Sequence, residues 1–301
     1  MESQPKPARV WLITGCSSGF GRHLSEAALA RGDKVLATAR DVTKLQDLER
    51  TYGALVATAR LDVTDTKSIR DAVAKAMTAF GRIDVVVNNA GYGLFGCVEE
   101  VSTDQIRKVF NTNVFGVIDV MQAVLPVLRA QGSGHILNIA SNGGRFALPG
   151  LSIYHGTKFA VEGISESVAQ ELAPLGIKLT IVEPGGFDTD FETRSLVDTA
   201  PMKEYTFVRE FIQKFAANYI RSNPVAAARA MLDVVDMKDP PLRLALGINV
   251  TQHLVDKLSK DVEEYKKFDA IWTKAEPDPK TAYWSWKGVK PEGDNSSPAA
   301  E

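Results

Sequence analysis

Residues 10–21 read VWLITGCSSGFG: a short apolar run, then three glycines and two serines. The run VWLIT has the length and composition of a buried strand. GRHLSEAALARG (21–32) follows at once, with apolar residues at helical intervals and a closing glycine, a usual helix stop. A strand that passes into a helix through glycines suits a phosphate, because the backbone can approach it closely. The helix N-terminus adds free N–H groups and positive potential. The spacing Gly15, Gly19, Gly21 departs from the GxGxxG fingerprint, so by themselves the glycines leave a structural turn as an alternative.

The same alternation continues along the chain. KVLATA (34–39), LVATARL (55–61), DVVVNNA (84–90), HILNIA (135–140) and KLTIVEP (178–184) are short apolar runs, and TKSIRDAVAKAMTAFG (66–81) between them has helical periodicity. Near-continuous Val, Ile, Leu and Ala fit strands covered on both faces. The fold expected is α/β: a Rossmann-type doubly wound parallel sheet of about seven strands with helices on both faces. RLALG (243–247) supplies a last strand, followed by a helix near 249–273. Residues 1–275 read as one catalytic domain. After Pro184 the rhythm breaks, and 187–222 carries seven aromatic residues between Phe187 and Tyr219. Phe207, Phe211 and Phe215 recur every four positions, an apolar helical stripe that packing onto the body would explain. Residues 276–301 turn polar and rich in Pro, Gly and Ser, the composition of a mobile tail.

With 301 residues, 45% apolar and 24% charged, and a formal net charge of −2, the chain has the balance of a soluble globular protein. No block of like charges points to nucleic acid or an anionic membrane. The best apolar run is interrupted by Asp119 and Gln122, short of the roughly 18 residues of a membrane span. The start, MESQPKPARVWLIT, lacks a secretory leader's apolar core. A cytoplasmic protein without a transmembrane segment is expected. The two cysteines, Cys16 and Cys97, read as small apolar residues. Four scattered histidines form no metal-ligand spacing.

A literal GxGxxG does occur, at Gly91, Gly93 and Gly96 in GYGLFG. The next helix begins near Ser102 or Thr103, too late to aim its N-terminus at a phosphate held there. That match is a decoy, and TGCSSGFG (14–21) is the better cradle. Dinucleotide folds that prefer NAD place an acid at the end of the second strand, about 20 residues after the glycines. Here the strand ends Thr38, Ala39, Arg40. A guanidinium suits the 2′-phosphate of NADP, with Ser17 and Ser18 near enough to add hydroxyl donors.

YHGTK (154–158) places Tyr154 and Lys158 one helical turn apart. The tail repeats that spacing in YWSWK (283–287), so context must separate them. YHGTK follows 13 residues after Ser141, at the end of the strand HILNIA, where open α/β sheets bind ligands. A serine, a tyrosine and a lysine above a nicotinamide are the groups that carbonyl reduction needs. Hydride goes to carbon, and Tyr154 supplies the proton to the developing alkoxide. Ser141 hydrogen-bonds the carbonyl oxygen. A nearby ammonium is expected to draw the phenol, ordinarily near 10, toward working pH.

Together TGCSSGFG, NNAG (88–91), Asn113 in NTNVFG, Ser141, YHGTK and PGGFDT (184–189) resemble the single-domain branch of the short-chain dehydrogenase/reductase family. The likeness runs from about residue 8 to 190 at motif level. The stretch from SNGG to YHGTKFAVEGISES looks most like type 1 17β-hydroxysteroid dehydrogenase and its retinol dehydrogenase relatives. The resemblance implies a tetrad of Asn113, Ser141, Tyr154 and Lys158, with the Asn113 main chain holding a water that links Lys158 to solvent. It implies NADP(H) held by Gly15, Ser17, Ser18, Gly19, Phe20 and Gly21, with Asp62 and Val63 flanking the adenine. Asn89, Ala90 and Gly91 would line the cofactor cleft. Lys158 would bind the nicotinamide ribose, and Pro184, Gly185, Phe187 and Thr189 the carboxamide side. An internal helix bond for Asn113 and a turn cap for Asp62 are the structural alternatives.

In the family the segment 187–222 is a lid, so a small hydrophobic carbonyl or alcohol substrate is expected: steroid-like, retinoid-like, polyketide or aryl ketone. Tyr92, Leu94 and Phe95 are candidates for the opposite wall. Homodimers or homotetramers on the helices near 102–128 and 154–174 are also implied. The chain departs from the family at His155 and Gly156, where small Ser and Ala are frequent, and at Arg145, read as a solvated charge or a partner for a polar substrate end. A cofactor-binding scaffold without turnover, and an epimerase or dehydratase working through a transient ketone, are the competing functions.

Overall fold

The structure, a computed structural model, describes residues 8–217 and 220–272, so Tyr219 and the YWSWK stretch lie outside it. The strands are β1 (Val10–Ile13), β2 (Lys34–Ala39), β3 (Val56–Arg60), β4 (Val85–Asn88), β5 (Gly93–Phe95), β6 (Gly134–Ile139), β7 (Ile177–Pro184), β8 (Leu196–Asp198) and β9 (Arg243–Leu246). The helices are α1 (Gly19–Ala30), α2 (Gln46–Tyr52), α3 (Thr66–Phe80), α4 (Thr103–Phe110), α5 (Gly116–Gln131), α6 (Ser152–Leu172), α7 (Phe191–Arg194), α8 (Thr206–Ala217), α9 (Pro224–Asp236) and α10 (Val250–Trp272). Two compact units are separable, Met1–Leu254 and Val255–Glu301, their boundary falling inside α10.

Seven strands form one parallel sheet in the order β3-β2-β1-β4-β6-β7-β9, as the alternating pattern implied. Side chains leave each strand on alternate faces. Trp11 and Ile13 pack with Leu24 and Ala28 of α1 and Met231 of α9. Leu12 packs on the other face with Ile69 of α3 and Val120 and Val124 of α5. Both faces are therefore covered, which is why β1 is apolar at every position. The chain winds outward from β1 in both directions, so the loops after β1 and β4 diverge and leave a crevice.

Ser102 and Gln105 form a capping box, and α4 starts at Thr103 as read. The helix expected over 102–128 is interrupted, however. A π turn at Asn111–Phe115 separates α4 from α5, with Gly116 N–H donating to the Asn111 carbonyl five residues back. The combined stretch Thr103–Gln131 is long and apolar enough to cross a membrane by composition, despite Asp119 and Gln122. In this fold its Val117, Val120, Met121, Val124 and Leu128 are core.

The second glycine run also differs from a plain loop. Gly93–Phe95 is strand β5, paired in parallel with β8. A Cβ at Gly93 would lie 2.6 Å from Leu196 Cδ1, and one at Gly96 would collide with Thr199 Oγ1. These glycines admit the lid strand, not a phosphate. On α8, Phe207, Phe211 and Phe215 are 65%, 45% and 38% exposed, while Val208 is the buried residue. The spacing of this apolar stripe suggested packing onto the body, yet Phe207 is largely exposed, and Phe211 stacks on Phe215 within the helix.

Gly21 in α1 faces the Gly15 carbonyl oxygen, and a Cβ there would also lie 2.5 Å from Asn89 Nδ2. Gly21→Ala is expected to lower the urea unfolding free energy by about 1–3 kcal/mol. Gly163→Ala, in open space on the same class of helix, is expected to raise it by up to ~1 kcal/mol. Equal effects would contradict the close-approach role.

Candidate active site

A cleft of about 480 Å³ opens at the carboxyl ends of the strands. Gly15, Ser17, Ser18, Gly19 and Phe20 line it from the β1 loop, Arg40 from the end of β2, and Asp62 and Val63 from the loop after β3. Asn89, Ala90 and Gly91 follow β4; Ser141 follows β6, and Tyr154 and Lys158 stand on α6; Pro184, Gly185, Phe187 and Thr189 close it at the end of β7. Two expected residues, Gly21 and Asn113, are not on its wall. Gly21 supports the cradle from behind, and Asn113 is 2% exposed.

The cradle follows from the backbone. Gly15 (φ +73°) and Gly19 (φ +56°) take the left-handed conformation that glycine tolerates best. Asn89 Nδ2 donates to the Thr14 carbonyl at 2.8 Å and the Gly15 carbonyl at 3.1 Å. The backbone N–H groups of Asn89 and Ala90 both donate to Thr14 Oγ1 at 2.9 Å. Thr14 is thus a site-building residue that carried no signal beyond its place before the glycines. Ser18, at the N-cap of α1, caps no N–H group with its side chain. Glycine conformation and an uncapped helix start together fit a pyrophosphate. Arg40 is exposed and lines the same cleft as Ser17 and Ser18.

Asp62 both lines the cleft and caps a turn: its Oδ1 accepts from Thr64 N at 3.0 Å and Thr64 Oγ1 at 2.8 Å. Burial opposes its charge, but the Thr64 bonds and the Arg40 and Arg60 charges hold the carboxyl below its usual range. The Asn113 side chain makes no bond internal to its own helix. Its Nδ2 donates to the Tyr92 carbonyl at 2.8 Å and to Thr157 Oγ1 at 3.1 Å, while its Oδ1 accepts from Tyr92 N at 3.0 Å.

Ser141 caps a short turn, its Oγ accepting from Gly143 N at 3.0 Å. Lys158 Nζ donates to the Ile139 carbonyl at 2.8 Å and lies 5.8 Å from the centre of the Tyr154 ring. The expected lowering of the Tyr154 phenol does not occur. Burial pushes it up to about 12, against a hydrogen bond from Ser141 that pulls it down. Burial also pushes the Lys158 ammonium down to about 8, opposed by the charge of Glu162. The ammonium is spent on a carbonyl, so desolvation outweighs Coulomb attraction at the phenol. At neutral pH this leaves Tyr154 protonated, the state of a proton donor.

Other expectations change. Leu94 and Phe95, on β5 beside β8, are buried, Leu94 against Val101 and Val109 and Phe95 against Arg209, and do not line the cleft. Tyr92 forms the wall, with Phe191, Arg194, Ser195 and Val197 contributed by the lid. Phe191 sits 6.0 Å from the Tyr154 ring, centre to centre. Phe191 belongs to the aromatic-rich segment expected to meet substrate, whereas Arg194, Ser195 and Val197 had no sequence signal, because the β5–β8 pairing that places them is invisible locally. Arg145 is half-buried and does not line the cleft. Its guanidinium lies 3.9 Å from Glu162 and 4.0 Å from Glu183, buried carboxylates that Arg243 meets at 3.1 and 3.4 Å. Burial and mutual repulsion push the Glu162 carboxyl upward. Cys16 is buried as read, its thiol raised to about 11 by burial.

The profile of the short chain dehydrogenase family matches residues 9–199. Oxidoreductase BOA17 of Botryotinia fuckeliana is 41% identical over 81% of this chain and 91% of its own. The 3-ketodihydrosphingosine reductase of Bacteroides thetaiotaomicron is 36% identical over 79% and 88%, and human 17-beta-hydroxysteroid dehydrogenase type 1 is 35% identical over 78% and 76%. A short-chain dehydrogenase from Streptomyces avermitilis superposes with a TM-score of 0.85 at 38% identity, over 90% of this chain and 99% of that one. ElxO, with NADP bound, has a TM-score of 0.69 at 25% identity, over 81% and 99%. Other similar structures hold NAD or NADH.

Two buried histidines set an acid limit. Burial pushes His135 and His155 down to about 4. Between about pH 6.5 and 4 the unfolded chain takes up protons that the folded chain refuses, so stability falls as pH falls, by roughly 3 kcal/mol per histidine in full. Urea midpoints at pH 7 and 4.5 should therefore differ less in a His135→Gln, His155→Asn double variant than in the parent. An unchanged difference would contradict the assignment.

Proposed function

The chain belongs to the short-chain dehydrogenase family of oxidoreductases, and we propose that it is an NADPH-dependent carbonyl reductase, reversible as a secondary-alcohol dehydrogenase, acting on a bulky hydrophobic ketone or alcohol. The observation that carries this reading is the meeting of Ser141, Tyr154 and Lys158 in the cleft that the glycine loop floors. When bound, the reduced nicotinamide supplies hydride to the carbonyl carbon. Tyr154, protonated at neutral pH, gives its proton to the developing alkoxide, and takes one back in the oxidative direction. The Ser141 hydroxyl supports the oxygen while charge grows on it. Lys158, held by the Ile139 carbonyl 5.8 Å from the centre of the Tyr154 ring, steadies by its charge the phenolate left after transfer.

Arg40 and the two serines favour NADPH over NADH, since the first acid after β2 is Asp41, which does not line the cleft and accepts from Thr43 N and Oγ1 instead. Tyr92, Phe191 and Val197 give the substrate end an apolar lining, and the keto-lipid and hydroxysteroid names of two relatives agree with that. We further expect dimers or tetramers built on α4–α5 and α6, which expose Phe115 and Phe159 at 54% and 46%.

With a panel of hydrophobic ketones, Tyr154→Phe should cost about 10²–10⁴ in kcat while NADPH still binds. Normal turnover would remove the proton-donor assignment. Arg40→Asp should weaken NADPH by about 10- to 100-fold, the loss of one or two charge-assisted bonds, and raise the preference for NADH. Indifference to that change would remove the argument for NADPH. Cofactor binding with no turnover on any ketone would favour a binding protein without catalysis.

A further inference from the structure

His155 follows Tyr154 on α6 but lies off the cleft wall and is only 5% exposed. Its imidazole contacts both halves of the connection that joins Ser141 to Tyr154. At one end Nδ1 accepts the Leu148 backbone N–H at 3.1 Å. At the other, the opposite ring edge lies against Gly143, where a Cβ would come within 2.7 Å of Cδ2 and 2.9 Å of Nε2. Gly143 is the residue whose N–H donates to Ser141 Oγ. The backbone N–H of His155 also donates to the Leu151 carbonyl at 2.8 Å, at the start of α6. A small side chain at 155 would lose both ring contacts.

We propose that His155 is a positioning residue, holding the 142–151 connection so that the Gly143 N–H keeps the Ser141 hydroxyl aimed at the reacting oxygen. The proposal rests on the reductase reading for its kinetic consequence but not for the clamp itself. Accepting at Nδ1 requires the neutral ring with its proton on Nε2, and burial keeps the ring neutral. Asparagine places an acceptor oxygen where Nδ1 stands, whereas phenylalanine keeps a ring and removes the acceptor. That pair of substitutions separates hydrogen bonding from bulk.

The experiment measures kcat, KM and the NADPH dissociation constant for His155→Phe and His155→Asn, each in the parent and in a Ser141→Ala background. His155→Phe should lower kcat about 10-fold with the NADPH constant unchanged, and His155→Asn should recover most of it, the scale of one hydrogen bond. If His155 works through Ser141, the Phe substitution should change kcat by less than about twofold once Ser141 is alanine. A parent-like kcat for His155→Phe, or an undiminished loss in the Ser141→Ala background, overturns the proposal. Should the parent reduce no ketone, the reductase reading fails instead, and amide hydrogen exchange across 142–151 decides the clamp. Faster exchange in His155→Phe than in His155→Asn supports it, and equal exchange overturns it.

Discussion

The amide of Asn89 bridges the ends of β1 and β4, and the cleft is placed relative to that tie. It reaches the Thr14 and Gly15 carbonyls only because Gly21 has no Cβ behind them. From β4 the chain runs on to Tyr92, whose backbone is gripped on both polar atoms by Asn113. Asn113 then donates to Thr157, and Thr157 donates to the Tyr154 carbonyl at 2.7 Å. Four hydrogen-bonded links and one stretch of chain after β4 thus connect the glycine loop to the backbone of Tyr154. The geometry needed between a bound cofactor and Tyr154 is built into buried backbone contacts, where side-chain freedom is small.

Burial decides the electrostatics of the site more than proximity does. A phenol and an ammonium a turn apart suggest a lowered phenol, yet the Lys158 charge is held by the Ile139 carbonyl and the phenol rises. The same rule governs the layer beneath. Glu162 and Glu183 are buried carboxylates that persist because Arg145 and Arg243 face them, although the Arg145 contacts are too long for hydrogen bonds. Lys158 therefore sits between Tyr154 and a buried layer of Glu162, Glu183, Arg145 and Arg243.

The sheet was readable because parallel strands covered on both faces must be apolar throughout, and β2 (Lys34–Ala39) was bounded correctly to the residue. Ser141, Tyr154 and Lys158 were readable because each follows a strand end or a helical turn with a chemical reason. The lid was not. A three-residue strand such as β5 has no period to detect, and its partner β8 lies about a hundred residues away. The α8 stripe looks the same whether its rings are buried or exposed, and only the structure shows Val208 inside and Phe207 outside. Arg145 and His155 looked like departures that could alter the substrate mouth. Their partners, Glu162, Glu183 and Leu148, come close only once α6 and β7 are in place.

The central claim is that this cleft passes hydride to a carbonyl carbon while a tyrosine supplies the proton. Turnover of a hydrophobic ketone with NADPH deuterated at the transferring position tests it most directly. The account predicts an alcohol with deuterium on the carbinol carbon and a solvent-derived proton on oxygen, and stoichiometric loss of reduced cofactor. An alcohol without deuterium, or a substrate changed with no net cofactor consumed, would contradict it.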